Sequence, residues 1–222
     1  MKVYPGNYQG NIVIPASKSD AQRAILCAGL AKGESIFLGV GDSLDEMAML
    51  ENIKALGAEI IQDEEGLKIK GMIRFPEELH LNLGESGLGA RLISSLCLVH
   101  PGSLKLTGEG TLLNRPLTFF NDYFKNKIPF FSDTNGHLPI HMQGGFPGGE
   151  VTVSGKLSSQ YISGLLMALP LAKEDSIVHV EDLNSKPYVQ MTLNTLLQFG
   201  IAVDHKNLSE FVIRGNQKYL SN

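Results

Sequence analysis

Apolar residues fall along this chain in two helical textures that alternate with short strand-like runs. Three segments are almost entirely small or apolar: SDAQRAILCAGLA from Ser19, SGLGARLISSLCLV around Gly87 and SSQYISGLLMALPLA around Ser159. Segments of that kind predict helices buried on most sides. Each is followed by a turn and a strand-like run, SIFLGV, GSLKLTG and DSIVHVE. A second helical pattern then appears, now with a clear polar face: LDEMAMLENIKALG, PLTFFNDYFKNK and KPYVQMTLNTLLQFG. Gly57 and Gly200 stand just past the first and third of these, where glycine closes a helix. A pair of β segments completes each set, AEIIQDEEGLKIKG, IPFFSDTNGHLPIHMQG and IAVDHKNLSEFVIRG. Their hairpin turns are expected at Asp63-Glu64-Glu65-Gly66, Asp133-Thr134-Asn135-Gly136 and Lys206-Asn207-Leu208-Ser209.

The pattern recurs with a period of roughly 70 residues. It predicts an α/β (α+β) fold of three repeated helix-strand-helix-strand-strand units, about 15–75, 80–144 and 150–215, around three buried helices. The amphipathic helices lie outside, and the N-termini of the buried helices point to a common place. Residues 1–14 hold an expected first strand, Lys2 to Val13, and 216–222 form a tail; the family that the motifs below resemble implies that the first belongs between domains and that the tail leads toward a second domain absent from this sequence. The glycine-rich Gln143–Gly149 stretch is a connector. It lacks the Gly-Lys-Ser/Thr ending of a phosphate loop and opens no helix.

Composition narrows the functions. The chain has 222 residues, 43% of them apolar, enough for a sizeable core. A net charge of -4 argues against a nucleic-acid footprint. No apolar run approaches the roughly 18 residues of a membrane span. The N-terminal MKVYPGNYQGN lacks the apolar core of a secretion signal. Cys27 and Cys97 sit in apolar helical patterns, which predicts buried free thiols in a reducing cytoplasm. No Cys-x-x-Cys or His-x-x-x-His spacing suggests a metal.

The chemistry gathers at the helix starts. Pro15 and Ala16 keep the backbone extended before a helix expected over Asp20 to Leu30, with Ser19 as its cap. Lys18 and Arg23 bring two full charges to a helix N-terminus that already favours anions. The segment predicts an anion pocket for a phosphorylated or carboxylated ligand, set against the plainer expectation of an ordinary capped helix. The second helix mouth, Gly84-Glu85-Ser86-Gly87-Leu88-Gly89-Ala90-Arg91, has three glycines that admit a ligand or another backbone. The third, Ser158-Ser159-Gln160, offers two hydroxyls and an amide. Arg115 before Pro116, and Ser185-Lys186-Pro187-Tyr188, put polar groups ahead of a helix-starting proline. An arginine fork suits phosphate or carboxylate oxygens.

PASKSDAQRA, GESGLGAR, LTGEGTLLNRP, QGGFPGGEVTVSGKLSSQ and NSKPYVQMTLNTLLQFGI, in this order, resemble the 5-enolpyruvylshikimate-3-phosphate synthase family. The resemblance covers the whole chain. It implies an enolpyruvyl transferase-type domain and transfer of the enolpyruvyl group of phosphoenolpyruvate to the 5-hydroxyl of shikimate 3-phosphate, without metal or organic cofactor. It implies further that Lys18 touches both substrates and is a candidate catalytic group. Ser19, Arg23, Ser158, Ser159 and Ser185 would hold shikimate 3-phosphate, and Tyr188 would line the same pocket. Gly87 and Arg115 would meet phosphoenolpyruvate, and Gln160 would lie between the ligands. The family's aspartate base lies in a second half that this chain lacks, so the chain by itself is expected to be inactive. Two alternatives stand beside this: a non-catalytic module that binds shikimate 3-phosphate, and a relative of the transferase acting on UDP-N-acetylglucosamine. One departure bears on the site. The family's Gly-Asn-Ala-Gly-Thr is here Gly-Glu-Ser-Gly-Leu, and Glu85 is expected to pair with Arg91 or Lys18.

Overall fold

The computed structural model describes all residues except 1, 3, 8, 125 and 132–134. Its elements run α1 (Lys18–Leu30), β1 (Glu34–Phe37), α2 (Leu44–Ala55), β2 (Glu59–Asp63), β3 (Gly66–Lys70), β4 (Glu78–Asn82), α3 (Gly87–Val99), β5 (Ser103–Thr107), β6 (Phe130–Phe131) and β7 (Ile140–Gln143). They continue with β8 (Gly149–Ser154), α4 (Ser159–Ala168), β9 (Ser176–Glu181), α5 (Lys186–Gln198), β10 (Val203–Lys206) and β11 (Glu210–Ile213). The strands form three sheets, in the orders β1-β3-β2, β4-β5-β7-β6 and β10-β11-β9-β8. Each keeps one face on the core and one in solvent. In β4, Leu79 and Leu81 are buried while Glu78, His80 and Asn82 are exposed. That alternation follows from side chains pointing to opposite faces along a strand.

The three small-residue helices α1, α3 and α4 are buried along most of their lengths. Small residues let their backbones approach closely. A Cβ built on Gly164 of α4 would stand 2.2 Å from Ser95 Oγ and 2.6 Å from the Arg91 carbonyl oxygen of α3. The amphipathic helices α2 and α5 pack outside, against α1 and α4. Ser43 caps α2 through a reciprocal box with Glu46. Gly57 and Gly200 follow α2 and α5 with φ of 105° and 75°, conformations that glycine adopts without strain.

Several expectations need correction. The helix α1 begins at Lys18, and its cap is Ser17, whose side chain accepts from Asp20 N–H. Ser19 lies in the first turn instead. Runs 78–82 and 149–154 are strands that precede α3 and α4 and pair in parallel with β5 and β9. The connector therefore ends where β8 begins, at Gly149. The expected amphipathic helix over PLTFFNDYFKNK is shorter than its pattern, helical over 118–124 and π-helical from Phe120 to Phe124. Phe119, Phe120 and Phe124 are all buried there, packed with Tyr161 and Phe146. Successive positions 119 and 120, with 123 and 124 one turn on, form one broad helical face, and that face carries the aromatic cluster. Asp133 and Thr134 of the second expected hairpin turn lie outside the described residues. The other two turns join β2 to β3 and β10 to β11. The expected first strand over Lys2 to Val13 is not one among the described residues, and Ile12 and Val13 are 86% and 98% exposed. Among the described residues it joins none of the three sheets.

The tail folds back. Lys32 N–H donates to Tyr219 O at 2.9 Å, and Leu220 bridges Lys32 in parallel alongside β1. Tyr219 is buried, and its hydroxyl donates to Met167 O at 2.6 Å. Among the described residues no helix is long and apolar enough to cross a membrane.

His100 closes the C-terminal end of α3 in full burial, with Gly102 N–H donating to its Nδ1 at 2.8 Å. Its ring meets Phe75 edge-on at 4.9 Å. Burial lowers its pKa below the ordinary histidine value. The unfolded chain therefore takes up a proton that the folded chain resists. Its contribution to stability is complete above about pH 6.5 and is lost as pH falls from there toward the folded value. We expect the urea midpoint to fall on acidification from pH 8 to pH 5, with a shallower fall in His100→Gln. Equal slopes in the two proteins would show that His100 is not responsible.

Candidate functional site

Three helix N-termini meet at one polar cavity of about 410 Å³. Its walls come from the first two turns of α1 (Ser19, Arg23), the start of α4 (Ser158, Ser159, Gln160) and the start of α5 (Asn184, Ser185, Tyr188). Leu88 of α3 and the Gly155–Leu157 loop complete it. Each helix start presents unpaired N–H groups and the positive end of its dipole. Among the lining residues none is acidic, and Arg23 and Lys156 are cationic. Lys156 is tied outward, to Asp182 at 2.8 Å. Ser158 caps α4, accepting from Gln160 N–H at 3.1 Å. Ser185 stands at the start of α5 without a capping bond, which leaves its hydroxyl available to the cavity.

Arg23 is the chemical centre. It is 1% exposed, yet no carboxylate lies within ion-pair distance of it among the described residues. Its Nε–H donates to Thr192 Oγ1 at 2.7 Å, one Nη to Ser163 Oγ at 3.2 Å and the other to the Ser19 carbonyl oxygen. Burial lowers its pKa, and nearby Asp20 acts in the opposite sense. Arginine keeps its proton in proteins, so this is a buried cation surrounded by neutral acceptors. An anion entering the cavity would supply the missing counter-charge.

A second group of residues gathers at the mouth of α3. A Cβ on Gly87 would lie 3.2 Å from Arg115 Nη1 and 3.7 Å from Arg91 Nη1, so two guanidiniums flank this helix start. Arg91 donates to Gly87 O at 3.1 Å and lies over the Tyr161 ring at 5.5 Å, joining α3 to α4. Ser86 Oγ donates to Gln22 Oε1 at 2.8 Å and joins α3 to α1. Lys18 is half-exposed and pairs with Asp45 of α2 at 2.8 Å.

Of the residues singled out from the sequence, Ser19, Arg23, Ser158, Ser159, Gln160, Ser185 and Tyr188 line the one cavity. Gly87 and Arg115 stand together at the α3 mouth, and Lys18 lies outside the cavity lining. The ion pair expected for Glu85 does not form. Its carboxylate accepts from Thr111 N–H at 2.8 Å, at the start of the 3-10 helix Gly110–Asn114. Unsatisfied N–H groups at a helix start attract a carboxylate as a cation would, and Gly110, at φ 51°, brings that turn against Glu85. Sequence reasoning missed Ser163, Thr192 and Asn184. A hydroxyl on the buried side of α4 or α5 is a usable signal, but only the three-dimensional packing shows that both reach Arg23. Cys27 and Cys97 are fully enclosed and their thiols are pushed strongly up by burial, so neither is a nucleophile.

A family model described as EPSP synthase (3-phosphoshikimate 1-carboxyvinyltransferase) matches residues 3–222. A 3-phosphoshikimate 1-carboxyvinyltransferase of Clostridium perfringens is 37% identical over 220 residues, covering 98% of this chain and 52% of that protein. The protein of the same name from Escherichia coli is 35% identical over 221 residues, with 96% and 52% covered. The chain thus spans about half the length of the curated relatives it matches. Among solved structures, EPSP synthase from Acinetobacter baumannii superposes with a TM-score of 0.81 at 23% identity, over 98% of this chain and 50% of that one.

Proposed function

This chain belongs to the EPSP synthase family, and from that premise we propose that it forms the shikimate 3-phosphate-binding half of a 3-phosphoshikimate 1-carboxyvinyltransferase. The observation that carries the proposal is the buried, unpaired Arg23 in a cavity that holds cations, hydroxyls and helix N-termini but no acid. A phosphorylated hydroxy acid matches that surface. Its charge answers Arg23, and its ring hydroxyls answer Ser158, Ser159, Gln160, Ser185 and Tyr188. In this reading residues 15–215 are the binding unit, with 1–14 leading toward the complementary half, 216–222 packed back against Lys32 and Met167, and a cytoplasmic setting.

The proposed reaction adds the 5-hydroxyl oxygen of shikimate 3-phosphate to C2 of phosphoenolpyruvate while C3 gains a proton. The C2–O bond to phosphate then breaks and C3 gives a proton up, releasing inorganic phosphate and the enol ether. Gly87 and Arg115 would hold the phosphate of phosphoenolpyruvate, and that charge is what an arginine at a helix N-terminus stabilises. Lys18, at the rim, would bridge the two ligands after leaving Asp45. No acid lines the cavity to deprotonate the hydroxyl, so these residues alone support binding without turnover. The test is calorimetric titration of this chain with shikimate 3-phosphate and, separately, with UDP-N-acetylglucosamine. Saturable heat with the first alone is expected. Saturation by the second alone would overturn the substrate assignment.

Gly87 gives a sharper check of the second ligand. An alanine Cβ there would meet Arg115 Nη1 at 3.2 Å, closer than ordinary contact, so Arg115 must give way. With shikimate 3-phosphate saturating, Gly87→Ala is expected to weaken phosphoenolpyruvate by roughly tenfold, equivalent to about 1.4 kcal/mol, and to leave the first ligand nearly unchanged. Equal weakening of both ligands would argue against the separation of subsites.

A further inference from the structure

The side-chain partners of Arg23 are hydroxyls rather than carboxylates. Thr192 of α5 accepts from Arg23 Nε–H, and Ser163 of α4 accepts from an Nη. The two hydroxyl oxygens are themselves 2.8 Å apart, with Thr192 Oγ1 donating to Ser163 Oγ or to Tyr188 O at 3.0 Å. All three side chains are buried to 2% exposure or less. The nearest acid of α1, Asp20, is turned to Thr195, whose hydroxyl lies 3.4 Å from its Oδ1.

A buried cation is costly unless it is paired, and a carboxylate at 163 or 192 would be the direct remedy. Hydroxyls do something different. They satisfy the direction of the guanidinium hydrogen bonds without cancelling its charge. A guanidinium carries more N–H donors than these contacts use, and Arg23 still lines the cavity. We infer that Ser163 and Thr192 are positioning residues, a neutral hydroxyl clamp that orients Arg23 toward the cavity and keeps its charge uncompensated for an anionic ligand. The inference rests on the anion-binding reading of this cavity, though not on the identity of the anion.

The experiment compares the full chain with Thr192→Val, Thr192→Ser and Thr192→Asp. Thermal midpoints are measured alongside the Arg23 Nε–H resonance during titration with shikimate 3-phosphate and, separately, with inorganic phosphate. Valine removes the acceptor and is expected to weaken binding tenfold or more. Serine restores it to within about threefold of the parent, by keeping the oxygen. Aspartate pairs Arg23 internally, so it is expected to hold or raise the thermal midpoint while abolishing binding. A merely structural role predicts the opposite for aspartate, with binding following stability. Parent binding of phosphate but not shikimate 3-phosphate, with the same ranking of variants, would sink the substrate assignment and leave the clamp standing. Parent-like affinity in the valine or aspartate variant would overturn the clamp, and so would a parent chain that binds neither anion.

Discussion

An Arg23→Met variant is expected to fold at least as stably as the parent and to lose shikimate 3-phosphate affinity by roughly 30- to 150-fold. The first half follows from burial. Arg23 is 1% exposed, and its charge has no carboxylate within ion-pair distance among the described residues. A buried charge without a counter-ion carries its desolvation cost uncompensated, and an apolar chain of similar length removes that cost. Ser163 and Thr192 lose a donor but keep each other and the Tyr188 carbonyl, so neither hydroxyl is stranded. The second half follows from the ligand. Hydrogen bonds to a charged group contribute about 1.5–3 kcal/mol each, and losing some 2–3 kcal/mol corresponds to the stated fold-change. Thermal melts and calorimetry on one preparation decide both halves. Retained affinity would remove Arg23 from the site. A large fall in the melting temperature would show that the guanidinium holds the helices together, and binding would then have to be judged at a temperature where the variant is folded.

How much of this could be read beforehand depends on what kind of information each feature carries. The buried helices were legible because an almost wholly apolar segment has nowhere to go but the core, and the expected starts near Gly87 and Ser159 agree with those of α3 and α4. Strands β4 and β8 were missed although β4 alternates as β5 does, because the expected unit began at the buried helix and left the runs before α3 and α4 as connections. Phe119, Phe120 and Phe124 carried a helical pattern that holds over 118–124, while their joint burial against Tyr161 and Phe146 is a tertiary fact. The same divide runs through the site. Residues at helix starts were legible, since Ser158, Ser159, Gln160 and Ser185 precede or open recognisable helices. Thr192 was not, because it lies 169 positions from Arg23 and looks like any polar residue inside an amphipathic helix. The fate of Glu85 was misjudged for a related reason. Its partner is a backbone N–H at Thr111, and backbone donors have no signature in the side-chain sequence.

Gly164→Ala is expected to destabilise the chain by about 1–3 kcal/mol and to weaken ligand binding at sites it does not touch. Helix propensity alone predicts the reverse, a gain of up to about 1 kcal/mol for alanine over glycine. Geometry decides between them. The added methyl would stand 2.2 Å from Ser95 Oγ and 2.6 Å from the Arg91 carbonyl oxygen. Ser95 can rotate, at the cost of its 2.8 Å bond to that same carbonyl. The carbonyl belongs to the α3 backbone and can move only if the helix does. Separating α3 from α4 draws Arg91 off the Tyr161 ring and carries Gly87 and Ser86 away from Arg115 and Gln22. One methyl at the middle of the helix pair therefore reaches the mouths of α1, α3 and α4 together. Gly10→Ala, with nothing within 4 Å of its Cβ, is the matched control and should change neither stability nor binding. Urea midpoints and phosphoenolpyruvate titrations on the two variants test this. If Gly164→Ala matched the control in both, the close approach of α3 and α4 would not be what holds the helix mouths in register.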